Sequence, residues 1–245
     1  MRLEGKNVVV TGASRGIGLE ISRIFAREGA TVAMLARGVE ELVAAARTVP
    51  GSHAYQCDVT VPHAVASIIA DIDSRFGGTD ILINNAALAE PSLIEEAGDV
   101  GLQLQIGVNL LGPIYCMRAA IPSMRRRGGG DIVNISSEAV STPYPLLSVY
   151  AATKSALETI SAGMRAELKD DDIRVSVYRS GRVASSFSDR WDPATSRRIR
   201  DLAETSGFND RSGGRISPEI PARAILSMVL LDRSAHVDLV QVRGA

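Results

Sequence analysis

Residues 8–18 read Val-Val-Val-Thr-Gly-Ala-Ser-Arg-Gly-Ile-Gly, a β-branched run that passes through three glycines into an apolar helical pattern. A strand that turns directly into a helix leaves N–H groups at the helix start free to bind phosphate oxygens. Gly12 permits the tight turn, Gly16 lets the backbone approach the phosphates, and Gly18 lets the helix pack close to the sheet. The stretch predicts a dinucleotide-binding turn; the alternative is a turn that needs glycine for its own geometry alone.

Outward from this turn, short β-branched runs alternate with longer helical patterns along the whole chain. The runs at 8–10, 81–83 and 132–135 are apolar without alternation, as expected for strands covered on both faces. The pattern predicts an α/β fold, with a single doubly wound parallel seven-stranded sheet (a Rossmann fold) and helices on both faces. We predict strands at 6–11, 31–36, 53–57, 80–84, 130–136, 173–179 and 237–242, and helices at 16–28, 38–49, 61–76, 99–126, 148–169 and 217–231.

Length and composition favour one globular domain over residues 1–245. The chain is 45% hydrophobic and 22% charged, which excludes a disordered or fibrous protein. No linker-like tract or repeat indicates a second domain. The irregular segment at about 180–216 is long for a compact domain, and we predict a substrate lid at about 182–215.

Charge and targeting signals narrow the class of partner. A net charge of −1 gives no general attraction to nucleic acid or to an anionic membrane. The N-terminus lacks a signal-peptide pattern, and no run approaches the roughly 18 apolar residues of a membrane span. Cys57 and Cys116 provide neither a disulfide framework nor a zinc site, so we predict a cytoplasmic protein without a metal. The histidines are interpreted as structural: His53, His63 and His236.

The end of the second predicted strand bears on the choice of dinucleotide. NAD is held there by an acidic residue that accepts a hydrogen bond from the ribose 2′-hydroxyl. Here Ala36 stands in that place and Arg37 follows it. Arg15 supplies a second guanidinium, and two guanidinium groups suit a 2′-phosphate. We therefore predict NADP(H) in preference to NAD(H); the alternative is that Arg37 is simply solvated at the strand end.

Residues 150–154, Tyr-Ala-Ala-Thr-Lys, contain a candidate pair for proton transfer. Positions four apart share one face of a helix, so the Tyr150 hydroxyl and the Lys154 ammonium can project into one site. A free tyrosine has a pKa of about 10, and a nearby cation favours the phenolate and lowers that pKa. We predict that Tyr150 exchanges a proton with a carbonyl or alcohol oxygen, and that Lys154 lowers the pKa of Tyr150.

With its T-G-x-x-x-G-x-G turn and Y-x-x-x-K pair, the chain resembles the short-chain dehydrogenase/reductase family over about residues 5–242. The resemblance implies that Lys154 also holds the nicotinamide ribose. Ser137 lies 13 residues before Tyr150, the family's spacing for a catalytic serine that hydrogen-bonds the substrate oxygen. Since successive strand residues point to opposite faces, Ser136 is expected to point away from the site.

The resemblance also implies a catalytic role for Asn109, whose backbone carbonyl would hold a water of the proton relay. The sequence supplies an independent reason. Pro113 lies four residues further along the helix predicted at 99–126 and has no N–H to donate to that carbonyl. The alternative is that Pro113 kinks the helix for packing alone.

Further cofactor contacts follow from the resemblance. Asp58 matches an aspartate that accepts a hydrogen bond from the adenine amine, although it also lies in the N-cap region of the next helix. Ala87 replaces the glycine of an N-N-A-G motif at 84–87, and Ser180 replaces the proline of a P-G-x-[IV]-x-T motif at 180–185. The other implied contacts are Ser14, Ile17, Val59, Asn85, Ala86, Gly181, Val183 and Ser185.

These expectations define an oxidoreductase that transfers a hydride between NADP(H) and a small-molecule carbonyl compound or secondary alcohol. Small residues along 148–169 permit close helix approach, and in the family this helix and the one at 99–126 form a subunit interface. The resemblance thus implies a homotetramer, or at least a dimer. Two other classes remain: a dinucleotide-binding sensor or scaffold with vestigial activity, and a lyase or epimerase that uses bound cofactor.

Overall fold

The computed structural model describes residues 1–189, 191–206, 208 and 213–245, which form a parallel sheet of seven strands in the order β3-β2-β1-β4-β5-β6-β7. The strands are β1 Asn7–Thr11, β2 Thr31–Ala36, β3 Ser52–Gln56, β4 Ile81–Asn84, β5 Gly130–Ser137, β6 Ile173–Ser180 and β7 Leu239–Val242. The helices are α1 Gly16–Arg27, α2 Val39–Ala46, α3 Pro62–Phe76, α4 Asp99–Ile106, α5 Gly112–Arg126, α6 Ser148–Glu167, α7 Pro193–Thr205 and α8 Glu219–Val229. This architecture confirms the predicted doubly wound sheet.

The sheet is buried on both faces, which explains the apolar strands without alternation. Val8 and Val10 of β1 belong to a buried cluster with residues of α1, α2 and α8. Val9, between them, belongs to a second cluster with residues of α3 and α5. Because the strand order departs in opposite directions from β1 and from β4, a crevice opens between their carboxyl ends. The topology therefore places the candidate site at that edge.

The single helix predicted at 99–126 is interrupted. A π-helical turn, Gly107–Leu111, separates α4 from α5, and the N–H of Gly112 donates to the carbonyl of Gly107, five residues earlier. Pro113 cannot donate to the carbonyl four residues before it, so the α-helical ladder of hydrogen bonds does not continue through this point. Asn109 lies within the π-helical turn.

The same stretch requires an addition to the prediction that no segment of the chain spans a membrane. Although it contains no long uninterrupted apolar run, Asp99–Arg126 meets the length and mean hydropathy of a membrane-spanning helix. Its residues Cys116, Met117, Ala120 and Met124 are buried in the cluster that packs on the sheet. Burial against the sheet accounts for its apolar composition, because a core helix needs one apolar face.

The segment predicted as irregular at 180–216 contains a helix, so that prediction was wrong in part. The carboxylate of Asp192 accepts hydrogen bonds from the N–H groups of Ala194 and Thr195 at 2.8 and 2.9 Å, and Pro193 occupies the first turn of α7. Aspartate followed by proline is a strong helix-start signal. The sequence therefore contained the information needed to predict α7.

Candidate active site

The glycine turn after β1 leaves no room for side-chain atoms. Gly12 has φ 63°, and a Cβ added there would lie 2.9 Å from the Cα of Ala86. A Cβ on Gly18 would lie 2.3 Å from the carbonyl oxygen of Gly12 and 2.5 Å from the Asn85 amide nitrogen. Gly18 therefore serves the close packing of the turn itself, in addition to the packing of α1 on the sheet.

Polar contacts join the turn to the end of β4. The side-chain amide of Asn85 donates to the carbonyls of Thr11 and Gly12 at 2.9 and 3.1 Å. The Thr11 hydroxyl oxygen accepts from the N–H groups of Asn85 and Ala86, both at 3.0 Å. Sequence reasoning missed this role of Thr11, whose only signal is its position at a strand end beside the glycines. Ala87 takes the place of a glycine without adopting a positive φ.

The start of α1 is open to a ligand. Gly16 has φ 56° and begins the helix, and Arg15, the N-cap residue, makes no side-chain capping hydrogen bond. A cavity of about 910 Å³ borders this turn. Its lining there includes Gly12, Ser14, Arg15, Gly16 and Ile17. The free N–H groups of the first helical turn suit the phosphates of a dinucleotide, so the residues present fit such a cofactor.

Arg15 and Arg37 are both exposed and line the same cavity, beside the end of β2. Glu41, in the first turn of α2, also lines it, and sequence reasoning did not identify that residue. The charged groups at the end of the cavity beside β2 are therefore two guanidinium groups, of Arg15 and Arg37, and the carboxylate of Glu41.

Asp58 and Val59 lie on the cavity wall after β3. The Asp58 carboxylate accepts hydrogen bonds from the backbone N–H and the hydroxyl of Thr60, at 2.9 and 2.7 Å. Helix α3 has Val61 as its N-cap residue, so Asp58 lies in the region before the helix and its carboxylate does not cap it. Asp58 instead closes a short local turn before the helix.

Ser137, Tyr150 and Lys154 line one wall of the cavity, although they come from β5 and α6. The Ser137 hydroxyl lies near enough to the Tyr150 hydroxyl to lower the pKa of Tyr150. The Lys154 ammonium is 1% exposed, donates to the carbonyl of Ile135 at 2.8 Å and lies 5.9 Å from the centroid of the Tyr150 ring. The structure therefore brings together the three residues on which the sequence-based hypothesis of hydride transfer depends.

The pKa of Tyr150 differs from the prediction. Burial raises the Tyr150 pKa to about 12, and the hydrogen bond with Ser137 opposes this only in part. Burial also lowers the pKa of Lys154 to about 8. The expected lowering of the Tyr150 pKa by Lys154 is not found, because desolvation of the phenol outweighs other effects. A pKa raised in this way favours the neutral phenol over the phenolate at neutral pH.

With this geometry in place, comparison with known proteins settles the family. A model of the family described as short chain dehydrogenase matches residues 6–195. The chain belongs to this family.

Curated relatives of this short-chain dehydrogenase agree with the assignment. A Staphylococcus saprophyticus protein named an uncharacterized oxidoreductase is 31% identical over 227 residues, covering 91% of this chain and 89% of that protein. Galactitol 2-dehydrogenase of Agrobacterium fabrum is 32% identical over 185 residues, 75% of this chain and 72% of that enzyme. The rat protein dehydrogenase/reductase SDR family member 7B is 38% identical over 74% of this chain, which covers 59% of its length.

Solved structures of similar proteins include complexes with NADP compounds. A metagenomic short-chain oxidoreductase in complex with NADP superimposes with a TM-score of 0.83 at 28% identity, over 100% of this chain and 99% of that one. An alcohol dehydrogenase from Thermococcus sibiricus, complexed with 5-hydroxy-NADP, gives a TM-score of 0.83 at 26% identity, over 98% and 97%. The Rossmann fold and the resemblance predicted from the sequence are thus both confirmed.

Asn109 of this short-chain dehydrogenase lies behind the cavity wall and is fully buried. Its side chain accepts from the N–H of Leu88 at 2.9 Å and donates to the carbonyl of Leu88 at 2.8 Å. It also donates to the Thr153 hydroxyl at 3.2 Å, which donates to the carbonyl of Tyr150 at 2.7 Å. The Asn109 side chain thus links α6 to the loop after β4.

A partly buried ion pair behind the same wall was not predicted from the sequence. The guanidinium of Arg179 on β6 meets the carboxylate of Glu158 on α6 at 3.0 and 2.6 Å. The Ser136 hydroxyl donates to Glu158 at 2.6 Å, although Ser136 also borders the cavity beside Ser137. Arg179 also donates to the hydroxyl of Ser141 at 3.0 Å. These contacts connect the strand of Ser137 to the helix of Tyr150 and Lys154.

The turn after β6 returns toward the glycine turn. Gly181, Val183 and Ser185 line the cavity, as does Ser180, which replaces a proline of the family motif. A Cβ on Gly181 would lie 2.7 Å from the Cα of Arg243, so this position requires glycine. Val183 forms an isolated parallel bridge with Ile216.

The segment that contains α7 covers the other side of the cavity. The indole N–H of Trp191 donates to the carbonyl of Ala89 at 3.0 Å. Arg198 on α7 forms a two-point ion pair with Glu96 at 2.7 and 2.8 Å. Both contacts join this segment to the loop between β4 and α4, across the cavity.

Proposed function

We propose that this protein is an NADP(H)-dependent oxidoreductase that interconverts a carbonyl compound and a secondary alcohol. One observation carries the proposal: the hydroxyls of Ser137 and Tyr150 and the Lys154 ammonium line one cavity, which continues to the glycine turn. The bound cofactor would supply or accept the hydride at the substrate carbon. The Tyr150 phenol would donate its proton to the carbonyl oxygen, and the Ser137 hydroxyl would hydrogen-bond the same oxygen.

Burial of Tyr150 favours one protonation state of the site, the one in which Tyr150 carries its proton. With its pKa raised to about 12, Tyr150 carries its proton at neutral pH, as a donor in carbonyl reduction must. The reverse reaction requires the phenolate, which burial disfavours. We therefore propose that the protonated site favours reduction at neutral pH.

The preference for NADP(H) rests on Arg15 and Arg37. Both guanidinium groups line the cavity, and no acidic residue stands at the end of β2 itself. Glu41 also lines the cavity, but it lies in the first turn of α2 and not at the end of β2. The two guanidinium groups of Arg15 and Arg37 favour a 2′-phosphate. The NADP compounds bound by two similar solved structures support this choice. Comparing KM for NADPH and NADH tests it, and a clear preference for NADH contradicts it.

The cofactor would lie along the glycine side of the cavity. Its phosphates would meet the first turn of α1, and its adenine would meet Asp58 and Val59. Its nicotinamide end would lie between Asn85 and Ala86, Lys154, and the turn after β6. The residues of that turn are Gly181, Val183 and Ser185.

We further propose that the chain is one domain whose segment 182–215 is the substrate lid. Trp191 and Arg198 contact the opposite side of the cavity, as a closed lid would. We also propose a homotetramer or dimer, because small side chains of α6 such as Ala152, Ala162 and Ala166 are exposed. A monomeric mass in sedimentation contradicts this. The buried free thiols Cys57 and Cys116 support a cytoplasmic location.

The decisive experiment follows nicotinamide absorbance with a panel of ketones and alcohols. Tyr150→Phe is expected to lower kcat by roughly a hundredfold or more, because the proton donor is lost. Tyr115→Phe is the matched control, since this tyrosine contacts Arg118 on α5 and does not line the cavity. Full activity in Tyr150→Phe, or turnover without net change of the cofactor, overturns the proposal.

A further inference from the structure

We propose that the substrate carries an aromatic ring a few bonds from its carbonyl or carbinol carbon, and that Phe187 and Trp191 bind this ring. The inference rests on the function proposed above and names the substrate class of that same site. The chain has ten Phe, Tyr and Trp residues in total. Five of them line this cavity: Tyr144, Tyr150, Phe187, Trp191 and Phe208. So high a share at one cavity, in a chain with only 4% aromatic residues, points to a ligand that aromatic side chains recognise.

The rings of Tyr150, Phe187 and Trp191 form a series that begins at Tyr150, the proposed proton donor. The centroid of Phe187 lies 5.7 Å from that of Tyr150 and 6.2 Å from that of Trp191. The planes of Phe187 and Trp191 stand at 73°, an edge-to-face arrangement. A substrate whose oxygen meets the Tyr150 hydroxyl would therefore have its nearest substituent beside Phe187, within reach of Trp191.

The surface that faces this position is apolar. The Trp191 N–H donates to the carbonyl of Ala89, so the polar atom of the indole is already paired and its faces remain as apolar surface. Ala89 and Leu147, both nearly buried, continue the lining. Phe187 is 37% exposed, and a bound ring would remove part of this apolar surface from water.

Charge does not explain the selection of a substrate here. Beyond the glycine side, charged side chains of both signs line the cavity, namely Arg182, Arg200 and Arg215 with Glu138 and Glu204. Because the two signs are mixed, charge alone does not select an anionic or a cationic group. Aromatic rings attract one another through their quadrupoles beyond simple burial, which a saturated ring of similar size does not reproduce.

The test compares two ketones that differ only in the ring: 4-phenyl-2-butanone and 4-cyclohexyl-2-butanone. Two methylene groups separate ring and carbonyl in both, so the reactivity of the carbonyl is matched. Trp191 is the only tryptophan of the chain, and its fluorescence therefore reports binding at this wall. With saturating oxidised NADP, which prevents turnover, the phenyl compound is expected to bind roughly two- to tenfold more tightly. The ratio of kcat/KM with NADPH should show the same preference.

Variants test whether the preference for the phenyl ketone comes from the aromatic wall, which is Phe187, Trp191 and α7. Phe187→Leu is expected to bring the phenyl-to-cyclohexyl ratio close to one, because leucine keeps an apolar side chain and removes the ring. Phe76→Leu is the matched control. Phe76 stacks on His53 at 4.7 Å at the end of α3, away from the cavity, so this variant should keep the wild-type ratio.

Three outcomes overturn the inference: equal or tighter binding of the cyclohexyl ketone, an unchanged preference in Phe187→Leu, or no change of Trp191 fluorescence with the phenyl ketone. The first two, observed while both ketones are reduced, leave the oxidoreductase function intact. Failure of the proposed function has a different signature, because neither ketone would then be reduced, whatever its effect on Trp191 fluorescence.

Discussion

Two walls of the cavity are built from different kinds of contact. The glycine wall, residues 11–18 and 84–87, is held by backbone groups and short side chains, such as Asn85 on the carbonyls of Thr11 and Gly12. The aromatic wall, which is Phe187, Trp191 and α7, meets the opposite side through the Trp191 indole and the ion pair of Arg198 with Glu96. The glycine wall therefore leaves no room for a side chain at Gly12 or Gly18, whereas the aromatic wall is held by contacts between side chains that are partly exposed.

The largest expected effect is on the pH dependence of stability, and it comes from the buried charge of Lys154, which lines the cavity. Its pKa is about 8 in the folded protein and 10.5 when unperturbed, so the unfolded chain binds more protons between these values. The contribution of Lys154 to the free energy of unfolding should therefore rise with pH across this window, by about 3 kcal/mol in total. Lys154→Met should lack this rise.

Urea unfolding of the two proteins at pH 8, 9 and 10 measures the difference. Buried groups with raised pKa values act in the opposite direction in both proteins, because the folded state binds more protons, at Cys57 and Cys116 above about pH 9 and at Tyr150 above about pH 10. The difference between the two proteins isolates the contribution of Lys154. A parallel pH dependence in wild type and Lys154→Met would show that Lys154 is not a strained buried cation.

The next largest effect is expected from Gly18→Ala in the glycine wall. A Cβ there would lie 2.3 Å from the carbonyl oxygen of Gly12, and a backbone atom in a hydrogen-bonded turn cannot give way cheaply. Affinity for NADPH should fall by about a hundredfold, as measured by calorimetry. Gly98→Ala, with nothing within 4 Å of the added atom, is the control and should bind normally. Wild-type affinity in Gly18→Ala would show that the turn is not a rigid binding element.

The contrast between the walls also explains what the sequence could predict. The glycine turn depends on residues within one strand-turn-helix unit, and Tyr150 and Lys154 are one helical turn apart. Such local spacing determines geometry directly. The doubly wound parallel sheet was predicted from the same kind of local pattern, and the structure places these residues on one cavity.

Long-range contacts and environment could not be predicted in this way. Glu158 and Arg179 are 21 residues apart, and nothing local to either residue indicates the other. The raised pKa of Tyr150 depends on burial, which spacing does not determine. Helix α7 is a different case, because Asp192 and Pro193 signalled its start and the interpretation of the segment as a loop overlooked them.

An intermediate effect is expected from Glu158→Gln. The change removes the charge that joins Arg179 on β6 and Ser136 on β5 to α6, and loss of such a charged hydrogen-bond network costs about 2 kcal/mol. Because α6 also positions Tyr150 and Lys154, kcat should fall by about tenfold with little change in KM. Glu28→Gln breaks another two-point pair, with Arg2, which is more exposed and lies away from the site, and should leave kcat unchanged. An equal fall of kcat in both variants would make the effect a general loss of stability.

The smallest effect is expected from Arg198→Gln in the aromatic wall. Both partners of the Arg198 and Glu96 pair are nearly half exposed, at 45% and 44%, so water and salt screen the attraction. We expect a change in substrate KM of less than about twofold, fading as ionic strength rises. Trp191→Phe is the companion variant, because it keeps an aromatic ring while it removes the hydrogen bond to Ala89 and part of the ring surface. If Arg198→Gln raises KM more than Trp191→Phe does, at low salt and at high salt alike, the ion pair rather than the indole holds this wall closed.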